Sequence, residues 1–184
     1  EKANLERSDL LKAHLEKTNL IRSTLSKTNL SEANLSGSNL SDAKGAPKLS
    51  GANLREANLS GADLSGNWLF GEASLYRANL EKANLGKVNL SGANLSGANL
   101  SGANLSGANL SGAFLIDATL NGANLRGANL RFANLTWADL SKTDLRGASL
   151  ILANLRNANL IGADLEGVEI KGAILCNTTM SLGG

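Results

Sequence analysis

The chain has 184 residues, a net charge of +2, 3% aromatic residues and 18% charged residues, against roughly 25% charged in an ordinary globular domain. So few aromatics exclude a core assembled from large side chains, and the near-balanced charge argues against strong non-specific affinity for nucleic acid. One cysteine, Cys176, excludes an internal disulfide framework or a cysteine-rich metal site, and no apolar run reaches the roughly 18–20 residues of a membrane span.

No signal peptide is visible, so the cytoplasm is the expected compartment. The sequence opens at Glu1, already inside a repeat and without a methionine, which leaves a preceding targeting segment open. Leucine occupies every fifth position from Leu5 to Leu40, from Leu49 to Leu69 and from Leu75 to Leu175, with Ile170 as the one substitute and Met180 continuing the phase. Two positions before each leucine stands a small residue, such as Ala3, Ser8 or Thr18; Val88 and Val168 are the largest in the regular blocks. The residue between is mostly asparagine or aspartate, and the two that follow are often Ser-Gly.

A helix cannot use this pattern, because five residues at about 100° each advance about 500° and scatter the leucines around the cylinder. A straight strand cannot either, because side chains an odd number apart point to opposite faces. A chain that bends once per five residues can. The small residue and the leucine then share the inner face, the asparagine points out, and the next two residues turn a corner where glycine tolerates positive φ. Such coils stack as parallel strands, and each buried leucine contributes roughly 1.5–3 kcal/mol.

The first quintets carry basic corners: Lys2, Arg7, Lys12, Lys17, Arg22 and Lys27. They read as a solvated rim that also discourages strand pairing at an open end. His14, the only histidine, stands in an outward position near Ser8 and Asp9. A catalytic triad is not expected of them, since Ser8 holds an inward position and a convex rod offers no pocket. Two breaks follow, near 41–49 and 66–75. Leu40 to Leu49 is one residue short of two quintets, and Leu69 to Leu75 is one residue long, so the two are expected to cancel. Pro47 sits at the first break and lacks the N–H that a ladder needs. One distorted coil with a loop at each flaw is the expectation; the alternative is a junction of two rod segments.

From Val88 to Asn121 only Asp117 is charged. The C-terminal half then departs from monotony. Phe114 replaces the outward asparagine, Phe132 and Trp137 stand at corners, and Ile151 and Leu152 follow Arg131 and Phe132 by twenty residues. They form a candidate interaction patch for a protein partner or for self-association; the competing reading is local packing of large side chains on the rod. The repeated Asn-Leu-Ser triplets, as at Asn94 and Asn99, match a glycosylation sequon only because the repeat generates them.

The quintets Ala98-Asn99-Leu100-Ser101-Gly102 and Ala138-Asp139-Leu140-Ser141-Lys142 resemble the pentapeptide-repeat family, with its pattern A(D/N)LXX, and the match runs over almost the whole chain. The resemblance implies an all-β fold: a right-handed quadrilateral parallel β-helix of four quintets per coil and about nine coils, in one domain over 1–184. At about 4.8 Å per strand the rod would be about 40–45 Å long. The function expected is that of a non-enzymatic structural or protein-interaction scaffold, with no cofactor, no metal, no small-molecule substrate and no nucleic-acid partner. Some members bind type II DNA topoisomerases as DNA mimics. That alternative is disfavoured here, because a DNA mimic needs a strongly negative surface and this chain carries +2.

Overall fold

The computed structural model describes residues 2–65 and 74–180. Its regularity comes from full use of the backbone donors in the Asn- and Asp-containing quintets. In the unit around Leu105, the Leu105 N–H donates to Asn124 O of the next coil at 2.7 Å, and Gly107 N–H to Arg126 O at 2.9 Å. Ala108 N–H closes a turn on Leu105 O at 3.0 Å, and Asn109 N–H reaches back to Val88 O of the coil before at 2.9 Å. The fifth donor, Ser106 N–H, is taken by the side-chain oxygen of Asn104 at 3.1 Å. Asparagine or aspartate precedes the leucine because only an oxygen at that place satisfies the first corner amide.

The second corner residue holds positive φ: 63° at Gly102 and 64° at Gly107, but also 57° at Lys12 and 60° at Phe132. Positive φ at the third residue of a hydrogen-bonded four-residue turn is the type II requirement, which glycine meets without steric penalty.

Parallel bridges join the residues before the leucines, and in the regular regions partners lie twenty residues apart. They fall into four ladders. The first runs through Asn4, Thr24, Lys44, Asp63, Asn89, Asn109, Asn129, Ser149 and Glu169. The second runs through Asp9, Asn29, Lys48, Ser74, Asn94, Phe114, Asn134, Asn154 and Ile174. The third begins at His14 and the fourth at Asn19. Near the C-terminal end the third ladder lengthens into two short parallel strands, β1 (Asn159–Leu160) and β2 (Thr179–Met180). Inside, one continuous core of leucine and alanine runs along the rod, and among the described residues the in-phase leucines from Leu25 to Leu155 are essentially inaccessible.

Asparagines also pair along the ladders. In the fourth, Asn58 Nδ2 donates to Asn39 Oδ1, Asn84 to Asn58 and Asn104 to Asn84, at 3.2, 3.2 and 3.1 Å. Aspartate appears where only acceptance is needed: Asp9, Asp63 and Asp139 each receive the amide of the asparagine above, at 2.9, 3.0 and 3.0 Å.

Both breaks fall on the corner between the first and second ladders. At the first, Gly45 takes the leucine place and donates to Asp63 O at 2.9 Å. A Cβ there would lie 2.5 Å from the Ser26 backbone nitrogen, so glycine is required by close approach. Ala46 alone turns the corner, Pro47 fills the buried small-residue place, and the bridge spacing drops to nineteen. The small-residue amide makes the turn bond and not a ladder bond, so Pro47 breaks no ladder; Lys48 N–H still reaches Thr28 O at 2.9 Å. The two breaks do restore the five-residue phase, but a whole quintet is gained between them. Lys48 pairs with Ser74, and Asp63 with Asn89, a spacing of twenty-six, so the ladders skip six residues beyond a regular coil. Asn67, Trp68, Leu69, Phe70 and Gly71, the residues expected at this flaw, lie outside the described residues.

Candidate functional site

The second ladder and its two corners collect most of the apolar departures from the repeat; Ile161, 48% exposed, stands on the corner after the third ladder. Phe114 is bridged between Asn94 and Asn134 in that ladder. Phe132 and Leu152 stand on the corner that precedes it, and Trp137 on the corner that follows it. The backbone fixes their stacking: Phe132 N–H donates to Ile151 O at 3.0 Å, Leu152 N–H to Lys171 O at 3.0 Å, and Trp137 N–H to Arg156 O at 2.9 Å. Phe132, Trp137 and Leu152 are 58%, 61% and 51% exposed, so they are not packed away against the rod. Phe114 and Ile151 are half-buried.

Sequence reasoning missed Ile174. It is the outward residue of the same ladder, bridged to Asn154, and is 38% exposed. Counting twenty residues from Phe114 through Asn134 and Asn154 leads to it.

Each of these residues breaks a local rule. Phe132, Trp137 and Leu152 hold φ of 60°, 62° and 58°. The left-handed region costs a side chain with a Cβ roughly 1–2 kcal/mol. Phe114 and Ile174 have no oxygen to offer the following amides, Ile116 N–H and Cys176 N–H. Leu152 also leans over Gly172, where a Cβ would come within 2.7 Å of Leu152 Cδ2.

The six basic residues near the N-terminal end are not brought together. Arg7 and Lys27 lie on one corner, Lys2 and Arg22 on another, and Lys12 and Lys17 on the remaining two. Their charge is partly offset: Lys12 pairs with Glu32 at 3.4 Å, Arg22 with Asp42 at 3.7 Å and Arg7 with Glu6 at 3.9 Å. A shallow corner groove there is lined by Lys2, Arg22, Thr24, Asp42, Lys44 and Gly61, of mixed charge.

His14 faces Glu16, with Nδ1 to Oε1 at 3.3 Å. Glu16 sits below the usual carboxylate range, through a bond from its own backbone amide and then those from His14 and Asn34. Asp9 is engaged by Asn29 and by Leu11 N–H, and the Ser8 side chain points inward at half burial. Among the described residues no cluster of three or more His, Cys, Asp or Glu could hold a metal ion, and no helix is long and apolar enough to cross a membrane. The strongest electrostatic perturbation lies on the fourth ladder. Asp144 is held down to about 2, chiefly by hydrogen bonds from the Arg146 side chain at 2.6 and 2.9 Å and also by its backbone amide. Arg146 is raised in turn and also meets Asp164 at 3.4 Å. This network braces a corner and offers no unsatisfied group.

The family model for pentapeptide repeats matches in eight copies over residues 1–37, 48–67, 73–112, 108–147 and 143–181, leaving out much of both breaks. No curated protein sequence matches the chain. Among solved structures, the chain is 37% identical to HetL of the cyanobacterium Nostoc, a pentapeptide repeat protein involved in heterocyst differentiation regulation, over 99% of this chain and 91% of that one, with a TM-score of 0.64. It is 34% identical to a pentapeptide repeat protein of the Arabidopsis thaliana thylakoid lumen, over 48% of this chain and 62% of that one, with a TM-score of 0.47. Bridges repeating every twenty residues, an alanine and leucine interior and these matches agree: the chain belongs to the pentapeptide-repeat family, whose members form right-handed β-helices.

Proposed function

We propose that this chain is a non-enzymatic interaction scaffold, a four-sided rod of about nine coils at about 4.8 Å each, that recognises a protein through the second ladder and its corners. One observation carries the reading. Phe114, Phe132, Trp137, Leu152 and Ile174 each put a large apolar side chain where the repeat elsewhere carries mostly glycine or a polar residue, at a local cost in stability, and they do so side by side on one face. Residues that oppose local stability and cluster at the surface mark recognition. HetL is involved in heterocyst differentiation regulation, and a rod that presents a fixed surface suits a role of that kind. A DNA-mimic role is the weaker reading, because this face carries Arg131, Arg156 and Lys171 where a mimic needs anions.

The test compares affinity capture by the wild-type chain and by a variant carrying Phe132→Ser, Trp137→Gly and Leu152→Ser. A specific protein retained by the wild type alone is expected. Identical sets retained by both would remove the reading.

A further inference from the structure

The charges around this face are sorted by sign. Beyond Ser111, its two corners hold Arg131 and Lys171 on one side and Arg156 on the other, with Asp117 as the only carboxylate. The remaining acidic residues of that half are elsewhere: Asp139 on the third ladder, Asp144 and Asp164 on the fourth, Glu166 on the next corner and Glu169 on the first ladder. Those on the far side are engaged locally, as Asp144 and Asp164 are with Arg146. Arg131, Arg156 and Lys171 form no ion pair among the described residues; Arg131 lies over the Phe132 ring, 5.7 Å from its centroid. Unpaired cations beside exposed aromatics are one half of a complementary surface.

Resting on the interaction reading above, we infer that the partner presents an acidic segment with apolar anchors: one or more Asp or Glu residues flanking Leu, Phe or Trp side chains. The anchors lie against Phe132, Trp137 and Leu152, and the carboxylates meet Arg131, Arg156 and Lys171. Two other occupants fit less well. A second copy would bring two surfaces of the same sign together. A single nucleic-acid strand needs a continuing basic track, and residues 91–97 below the patch carry no charge.

The test is selection of a randomised twelve-residue peptide library displayed on phage against the full chain. A fluorescent copy of the selected peptide is then titrated by anisotropy against wild type, the double variant Arg131→Glu and Arg156→Glu, and the double variant Phe132→Ser and Trp137→Gly. The expected result is a consensus pairing acidic with large apolar residues. Binding should weaken by about tenfold or more in the charge-reversal variant, and the difference should shrink as salt rises. Binding should also be lost in the apolar variant. A neutral or basic consensus overturns the inference, as does no enrichment, or binding indifferent to Arg131 and Arg156. So does a dimeric mass in solution that reverts to monomer in the apolar variant, or binding of a twenty-nucleotide oligo-dT that depends on Trp137. A captured protein that docks on this face through a basic or uncharged segment would retain the scaffold reading and sink this one.

Discussion

Between Ser91 and Gly112 every corner ends in glycine and every outward residue before a leucine is asparagine. One quintet and more further on, the second face replaces both. Phenylalanine stands where the amide-capping oxygen belongs, and phenylalanine, tryptophan and leucine stand where φ is positive. The interior beneath is the same in both regions, alanine and leucine with almost no accessible surface. Interior and surface are therefore separable in this molecule. The inward pair sets the coil, and the outward and corner places can be changed for recognition at a modest local cost.

The largest effect expected of a test lies in the plain region. Leu110→Ala opens a cavity in a core with no slack and should lower stability by about 2–5 kcal/mol, read as a fall in the denaturant midpoint. Ala103→Leu overpacks the same core and should cost about 1–3 kcal/mol. If either change is silent, the interior is not the common determinant. Next come the asparagine ladders. Asn104→Asp sets a carboxylate against the Asn84 oxygen now 3.1 Å from the Asn104 amide, and should cost about 1–2 kcal/mol. Asp63→Asn, at a place where only acceptance is used, should stay within about 0.5 kcal/mol. Equal effects from the two would dispose of the directional ladder. On the decorated face the sign reverses: Trp137→Gly relieves a left-handed backbone and should hold or raise stability by up to about 1 kcal/mol while removing binding. A loss of stability there would show that Trp137 serves packing after all.

The smallest effect concerns pH. Asp144 is held down to about 2 from an ordinary 3.8. A depressed carboxylate contributes stability that is full above its unfolded value and fades as pH falls through its folded one. The difference in thermal midpoint between wild type and Asp144→Asn should persist at neutral pH and vanish between about pH 4 and pH 2. A difference that survives below that window would point to shape and not charge.

Much of this was legible in the sequence, because five-residue spacing with a small residue and leucine admits few geometries. The stacking of Leu152 over the Phe132 corner followed from counting twenty, and Ile174 was reachable by the same count. Two matters were not legible. Leu69 keeps the leucine phase, so the excess at the second break reads as one residue from the sequence, whereas the ladders skip six. Periodicity cannot tell a quintet in the coil from one that is bypassed. The role of Pro47 was hidden too, since the pattern alone does not say which amide of a quintet enters a ladder and which only closes a turn.

The twenty-residue bridge spacing also makes the rod an indexing device. Adding or removing four quintets moves every later feature along the axis by one step, about 4.8 Å, without turning it. Adding or removing a single quintet turns every later feature by one ladder. Deleting Ser91 to Leu95, for example, would carry Phe132 and Leu152 around the axis, away from the corner that bears both breaks, and bring Trp137 onto it. Repeat number thus encodes azimuth as well as length. A chain that gains and loses quintets can dial two surface features to any of four relative bearings while its interior stays the same.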